Sequence, residues 1–85
     1  MFSKIKSKDK AAKLREYLNA KDIIVMPGCY DSLSAKLIEK EGLGVGFMSG
    51  FAVSSTRLGM PDTGLISFSE MADHVRNICN STSIP

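Results

Sequence analysis

The sequence predicts an α/β fold in which short parallel strands alternate with helices. Three observations support this prediction: helical and strand-like segments alternate along the 85 residues, two short apolar runs are bounded by turn residues, and the last helix begins at a capping-box sequence. Alternation of this kind joins parallel strands by crossover connections, which are almost always right-handed. We therefore expect both strands to point in the same direction.

The first part of the chain predicts a leading helix followed by a buried strand. Residues 1–8 are rich in lysine and are expected to be flexible. A helix is predicted from Asp9 to Asn19, because apolar residues recur at three- and four-residue spacing: Ala11, Leu14, Tyr17 and Leu18. The continuous apolar run at residues 23–26 then ends at Pro27-Gly28, which favours a strand buried on both faces.

A second helix and a second strand follow the same pattern. Asp31 or Ser32 is predicted to cap the helix, and Gly42 is placed to end it in the left-handed conformation. The apolar positions of this helix are expected to form its buried stripe: Leu33, Leu37 and Ile38. Val45, Phe47 and Met48 then form the second short apolar run, which predicts the second strand.

The remaining chain is predicted to be a long connection and a final helix. Residues 51–66 form the connection, with a short helical turn expected at residues 52–58. The spacing of Ser67 and Glu70 is that of a capping box. One face of the final helix carries Phe68, Met71, Val75 and Ile78. Ile84-Pro85 is expected to approach a third strand, because it follows a polar turn.

Composition and charge narrow the class of protein. Hydrophobic residues make up 44% and charged residues 24%, which is ordinary for a globular domain, and the net charge is +2. The lysine-rich start has no interleaved aromatic residues beyond Phe2, so no nucleic-acid partner is expected. No apolar run is long enough for a membrane span, and the two cysteines lack metal-ligand spacing. A cytoplasmic location is expected, with a mitochondrion or plastid left open.

Two segments, read together, carry a resemblance to a known family. The first is Pro27-Gly28-Cys29-Tyr30-Asp31-Ser32-Leu33-Ser34-Ala35, and the second contains Ser49-Gly50-Phe51 and then Leu58-Gly59-Met60-Pro61-Asp62-Thr63-Gly64-Leu65. From about Leu14 to Pro85 the chain resembles the isocitrate lyase/phosphoenolpyruvate mutase superfamily. Within it, the chain is most similar to the carboxyphosphoenolpyruvate mutase and methylisocitrate lyase branch.

The resemblance implies a fold larger than this chain. Such a protein is a (β/α)₈ TIM barrel, which typically needs about 250 residues. Residues 1–85 would be the N-terminal fragment of one barrel domain, an incomplete barrel made of a leading helix, a strand, a helix, a strand, a loop and a helix. The family's direct metal ligands, an Asp-x-Asp pair, would lie beyond Pro85, so this chain alone is expected to be inactive.

The resemblance also implies a chemistry and a set of site residues. It implies a Mg²⁺-dependent lyase that cleaves carbon–carbon bonds of 2-hydroxy or 2-oxo di- or tricarboxylates through an enolate-like intermediate, and a full-length parent that is a homo-oligomer. Substrate contacts are carried over to Tyr30, Ser49, Gly50 and Phe51. The catalytic carboxylate is carried over to Asp62, which would approach the metal through water.

Several interpretations stay open. The resemblance allows the chemistry of the lyase, that of a phosphonomutase, or neither if the chain is a catalytically inactive truncated product. A third reading is another phosphate-binding barrel with an accidental overlap of motifs. Ser49-Gly50 and Pro61-Asp62 are also common turn sequences, and Asp31 is expected to be a helix cap. We expect structural roles for the other reactive residue types, Cys29, His74 and Cys79, and we expect Cys79 to lie in the core.

Overall fold

The computed structural model describes residues 7–85, in which four helices alternate with two very short strands. The elements are α1 (Ser7–Asn19), β1 (Gly28–Cys29), α2 (Ser32–Lys40), β2 (Phe47–Met48), α3 (Gly50–Leu58) and α4 (Phe68–Ser81). The order confirms the predicted alternation. Of the segment expected to be flexible, residues 1–6 lie outside the described residues.

The two strands form a parallel pair, as the alternation predicts. Gly28 pairs with Phe47 and Cys29 with Met48. The Phe47 N–H donates to the Pro27 carbonyl at 3.0 Å, and the Ser49 N–H donates to the Cys29 carbonyl at 3.1 Å. The described residues are thus a mixed α/β unit with a two-stranded parallel sheet, which is compatible with part of a larger α/β domain.

The predicted first strand is wrong in its position and in its burial. Residues 23–26 are not hydrogen-bonded into the sheet, and pairing begins only at Gly28. Ile23 is 93% exposed and Val25 is 65% exposed. A parallel strand is buried on both faces only when neighbours and covering layers surround it, and within residues 7–85 the sheet has just one other strand.

Local capping determines where three of the helices begin. Asp31 caps α2 by accepting from the Ser34 N–H at 2.7 Å, and Ser67 caps α4 by accepting from the Glu70 N–H at 3.1 Å. Both caps are reciprocal capping boxes. The predicted helical turn is a full helix, α3, which begins directly after its cap Ser49. Gly42 has φ of 83°, as its predicted place after α2 requires.

The core lies between the sheet and helices α2 and α4. It is built around Cys29, Ala35, Ile38 and Ile78. The predicted stripes are only partly right: Ile38 and Ile78 are buried and Met71 is half-buried, whereas four other large residues of these stripes are exposed: Leu33, Leu37, Phe68 and Val75. Cys79 was expected in the core and is exposed. Each of these two helices therefore buries only a narrow line of side chains among the described residues.

The segment after α4 is held against the far edge of β2. The Gly46 N–H donates to the Pro85 carbonyl at 3.0 Å. Successive N–H groups of a strand point to opposite sides, and the Phe47 N–H points to β1, so Pro85 lies along the other edge of β2. This is the place of a third parallel strand, as predicted for Ile84-Pro85. Lys10 and Glu39 fix the segment by bonding the Thr82 carbonyl and the Ser83 N–H, respectively.

Candidate functional site

The polar residues that follow the two strands lie side by side. Tyr30 follows β1 and Ser49 follows β2, and the strands are parallel and in register. The hydrogen bond from the Ser49 N–H to the Cys29 carbonyl holds the two strand ends together. The carboxyl ends of parallel strands are where α/β proteins bind their ligands. This edge of the sheet is therefore the candidate site.

Tyr30 is held at this edge through its backbone. Its N–H donates to Ser34 Oγ at 3.1 Å, and its carbonyl is hydrogen-bonded to Nε2 of His74 on α4. A carbonyl only accepts hydrogen bonds, so His74 Nε2 carries the proton in this contact. The Tyr30 side chain is exposed and is available to line a pocket. His74 thus has the structural role expected of it, although no local sequence pattern indicates its partner 44 residues away.

The Ser49-Gly50-Phe51 step forms the N-terminus of α3. Ser49 Oγ accepts from the Ala52 N–H at 3.2 Å, and the Ser49 carbonyl accepts from the Val53 N–H at 2.9 Å. The N–H groups of Gly50 and Phe51 belong to the first helical turn, where no preceding carbonyl is placed to accept them. The partial positive charge of the helix end adds to their attraction for an anion.

The space in front of this step is open. A Cβ built on Gly50 would come no closer than 4.0 Å to a neighbouring side chain, that of Met71. The Phe51 side chain is 65% exposed. The described residues thus leave room beside the Cα of Gly50, next to the first N–H groups of α3 and the hydroxyl of Ser49.

Asp62 lies on the connection between α3 and α4, away from the strand ends in sequence. The Thr63 N–H donates to the Pro61 carbonyl at 2.9 Å, so Asp62 is the central residue of a γ-turn. The turn is of the inverse type, because no described non-glycine residue has a positive φ. Asp62 is exposed, and among residues 7–85 no hydrogen bond joins its carboxylate to Tyr30 or to the Ser49-Gly50-Phe51 step.

Cys29 and Asp31 also lie near this edge, and both have structural roles. Cys29 is buried, and its pKa is raised by burial first and then by the negative charges of Asp31 and Cys79. A thiol in such surroundings stays protonated and is a poor nucleophile. The carboxylate of Asp31 caps the N-terminus of α2. Both findings agree with the interpretation of the sequence.

The described residues do not by themselves form a metal centre. Within residues 7–85 no group of three or more His, Cys, Asp or Glu side chains is arranged to hold a metal ion. Asp62 is a single exposed carboxylate, and Mg²⁺ prefers octahedral sites of several oxygen ligands. A separate finding concerns membranes: no helix within the described residues is long and apolar enough to cross a bilayer.

The described residues form a mixed α/β unit in which exposed polar residues and the N-terminus of α3 lie where two parallel strands end. Comparison with known proteins gives the family. The family profile described as phosphoenolpyruvate phosphomutase matches residues 14–85. The chain belongs to the isocitrate lyase/phosphoenolpyruvate mutase superfamily, which confirms the resemblance seen in its motifs.

Three relatives illustrate the range of activities in this family. The chain is 42% identical over 69 residues to the carboxyvinyl-carboxyphosphonate phosphorylmutase, chloroplastic, of Arabidopsis thaliana, a match covering 81% of this chain and 20% of the relative. It is 37% identical over 75 residues to the 2,3-dimethylmalate lyase of Eubacterium barkeri, a match covering 88% of this chain and 26% of the relative. It is 39% identical over 72 residues to the 2-methylisocitrate lyase of Aeropyrum pernix, a match covering 85% of this chain and 23% of the relative. The chain thus spans about a quarter of their length or less.

Proposed function

We propose that this chain supplies part of the substrate-binding edge of a carbon–carbon lyase that acts on 2-hydroxy or 2-oxo di- or tricarboxylates. The observation that carries the proposal is the Ser49-Gly50-Phe51 step, where a capped helix N-terminus directly follows a parallel strand. The lyase names of the Eubacterium barkeri and Aeropyrum pernix relatives support the reaction class.

The proposed chemistry assigns a role to each residue of the site. Cleavage of a 2-hydroxy acid removes the hydroxyl proton and breaks the adjacent carbon–carbon bond. The hydroxyl carbon becomes the carbonyl of a 2-oxo acid, and the electron pair of the broken bond leaves with the other product as an enolate, which is then protonated. The N–H groups of Gly50 and Phe51 and the hydroxyl of Ser49 would stabilise the carboxylate or enolate oxygens. Tyr30 would line the pocket, and the ring of Phe51 would contact the variable part of the substrate.

Asp62 is proposed as the catalytic carboxylate. It lies at the centre of the γ-turn on an exposed connection, and a carboxylate there can orient a water molecule or transfer a proton. The superfamily resemblance implies Mg²⁺ as cofactor, approached by Asp62 through water. Because the described residues do not assemble the direct ligands, those ligands are proposed to come from outside residues 7–85.

A second candidate is a phosphonomutase. The Arabidopsis thaliana relative, 42% identical over the matched residues, is named a phosphorylmutase. The same donors at Ser49, Gly50 and Phe51 would hold a phosphoenolpyruvate-type carboxylate, and the two reactions share an enolate-like anion. A third candidate is a catalytically inactive product, which is what we expect of residues 1–85 by themselves, because they match only about a quarter of a relative's length or less.

Partners and location are part of the proposal. We propose a small carboxylate substrate, no nucleic-acid or membrane partner, and a homo-oligomer for the full-length parent. A cytoplasmic location is proposed, with a plastid as the alternative that the name of the Arabidopsis thaliana relative suggests.

The proposal is tested by assaying the full-length gene product that contains these residues. With Mg²⁺ present, 2-methylisocitrate and 2,3-dimethylmalate are offered, and the release of a 2-oxo acid is followed; ³¹P NMR of phosphoenolpyruvate-type substrates tests the phosphonomutase. Cleavage of either acid supports the lyase, and conversion between C–P and O–P bonds without cleavage supports the alternative. If neither reaction occurs, both proposals fail.

A substitution at Ser49 tests the binding step itself. Ser49→Asp keeps a side-chain acceptor for the cap of α3 but places a negative charge where the substrate anion would bind. We expect kcat/KM to fall by about 100-fold or more, the effect of losing a donor to a developing oxyanion. Ser55→Ala, an exposed serine later in the same helix, is the matched control and should retain full activity. Equal activity in both variants would remove the step from the site.

A further inference from the structure

Arg57 joins the two ends of the connection that carries Asp62, because it forms ion pairs with residues at the start of α4. Arg57 lies in the last turn of α3, and Glu70 lies in the first turn of α4. Arg57 Nε lies 3.5 Å from Glu70 Oε2, and Arg57 Nη1 lies 3.6 Å from Asp73 Oδ2. Residues 59–67 run between these two helix ends, so the ion pairs join the two ends of the loop.

Glu70 takes part in two contacts at once. Its Oε1 accepts from the Ser67 N–H at 3.0 Å, which completes the capping box at the point where the loop enters α4. Its Oε2 faces Arg57. The hydrogen bonds from Ser67, and then the charge of Arg57, keep the pKa of Glu70 below its ordinary value. The carboxylate is therefore ionised at neutral pH, as both contacts require.

Between these ends, few contacts among the described residues order the 59–67 loop. Its residues are almost all exposed, and Gly59 and Gly64 adopt positive φ values of 65° and 78°. Its internal order comes from short-range bonds, such as that from the Thr63 N–H to the Pro61 carbonyl beside Asp62. Contacts that close the two ends reduce the number of conformations open to such a loop.

We propose that Arg57 is a positioning residue, whose pairing with Glu70 and Asp73 fixes the ends of the 59–67 loop and thereby the place of Asp62. This inference rests on the proposed role of Asp62. The side chains of Arg57 and Glu70 are only about one third exposed, at 33% and 34%, so their pairing is screened less than that of fully solvated charges. Arg57 also donates to the Glu70 carbonyl at 3.5 Å, which adds a contact to the start of α4.

A second arginine provides a matched control. Arg76 pairs with Asp73 at 3.4 Å, but both residues belong to α4, so this pair spans no loop. Arg76→Gln therefore removes a charge and an ion pair close to the same carboxylate and leaves the base of the loop intact. Glu70→Gln tests the pair from the other side, because glutamine also completes a capping box.

The experiment measures loop order and turnover on the same variants of the full-length protein. Amide hydrogen exchange of Thr63 reports on the turn at Asp62 without substrate. We expect Arg57→Gln and Glu70→Gln to raise the Thr63 exchange rate by about two- to fivefold, with Arg57→Lys between them and the wild type and Arg76→Gln unchanged. We expect kcat to fall by a similar factor with KM unchanged, because the proposed binding groups at Ser49-Gly50-Phe51 lie outside the loop.

Each contrary outcome has a defined meaning. Unchanged Thr63 exchange in Arg57→Gln, or an equal increase in Arg76→Gln, would show that the pair does not order the loop. Faster exchange with unchanged kcat, in a protein that Asp62→Asn inactivates, would overturn the positioning role and leave the lyase proposal standing. If Asp62→Asn retains full turnover, the proposed role of Asp62 fails and this inference fails with it, whatever the exchange rates.

Discussion

At the scale of single residues, the two cysteines differ although they lie near each other. Cys29 is buried in the core beside β2, and Cys79 is exposed on α4. Burial raises the pKa of Cys29, and the charges of Asp31 and Cys79 raise it further. The thiolate is the reactive form, so the burial and the raised pKa of Cys29 both make it a poor nucleophile.

We predict that iodoacetamide at neutral pH modifies Cys79 well before Cys29. Mass spectrometry of the intact protein and of its peptides measures the order, with Cys79→Ser as the variant that isolates Cys29. A raised pKa in the folded state stabilises the fold at a pH below the ordinary thiol pKa, and that contribution is lost as the pH rises through the folded value. Cys29 should therefore become reactive only at alkaline pH. Faster labelling of Cys29 at neutral pH would contradict its burial.

The pKa of Glu39 is shifted in the opposite direction from that of Cys29. Its carboxylate accepts from the Ser83 hydroxyl at 2.5 Å and from the Ser83 N–H at 2.8 Å, and these bonds lower the pKa of Glu39. Its contribution to stability is thus present above its ordinary pKa and is lost as the pH falls through the lower folded value. Glu39→Gln should lower the free energy of unfolding by about 1 kcal/mol at neutral pH, from the weakened hydrogen bonds.

Urea unfolding of this variant at several pH values measures the effect. The difference from the wild type should shrink as the pH falls through the folded pKa of Glu39. Glu16→Gln is the control, because Glu16 pairs with Lys13 on the exposed surface of α1, and the substitution should change stability little at any pH. A Glu39→Gln effect that is independent of pH would argue against ionised Glu39 as the acceptor.

At the scale of elements, the docking of α1 depends on a glycine. A Cβ at Gly44 would lie 2.4 Å from the hydroxyl oxygen and 2.9 Å from Cζ of Tyr17. Gly44 has no positive φ, so it is needed for space and not for its backbone conformation. The Tyr17 ring therefore packs directly on the backbone that leads into β2.

We predict that Gly44→Ala displaces Tyr17 and lowers the free energy of unfolding by about 1–2 kcal/mol. In a Tyr17→Ala background the same substitution should cost almost nothing, and a double-mutant cycle by urea unfolding measures the coupling. Gly46→Ala is the matched control, since its Cβ would come no closer than 3.9 Å to Ile38. Equal costs with and without Tyr17 would exclude the steric explanation.

At the scale of the whole molecule, large apolar side chains are exposed on β2 and on the segment that precedes β1. Phe47 is more than half exposed, and so are Ile23 and Val25, although all three belong to the runs predicted as strands. Large apolar patches and unpaired strand edges promote association between chains. These exposed side chains form an uncovered surface, which we expect to promote association of residues 1–85 as a separate chain.

We predict that the separate 85-residue chain self-associates through this surface. Introducing a charge by Val25→Lys or Phe47→Lys should shift sedimentation-velocity profiles towards the monomer. Phe68→Lys is the control, because Phe68 is also highly exposed but lies at the start of α4, outside the predicted strands. A wild-type chain that stays monomeric at high concentration, or a Phe68→Lys variant that dissociates as well, would contradict this prediction.

The sequence by itself determined the features that depend on neighbours a few residues apart. Local spacing predicted the capping box at Ser67, a cap for α2 at Asp31 or Ser32, the order of the elements and the place of Ser49 at a strand end. Pattern similarity gave the family, since the motifs of its members lie in the same order along this chain. These features need no knowledge of which distant surfaces meet.

Only the tertiary structure decided what is buried and which distant residues meet. The apolar run at residues 23–26 is exposed because few other elements are present to cover it, and Cys79 is exposed because α4 buries only a narrow line of side chains. The contact between His74 and Tyr30, and the pairing of Arg57 with Glu70, join residues on separate elements. Such contacts depend on how helices and strands pack, which the spacing of residue types along a chain does not encode.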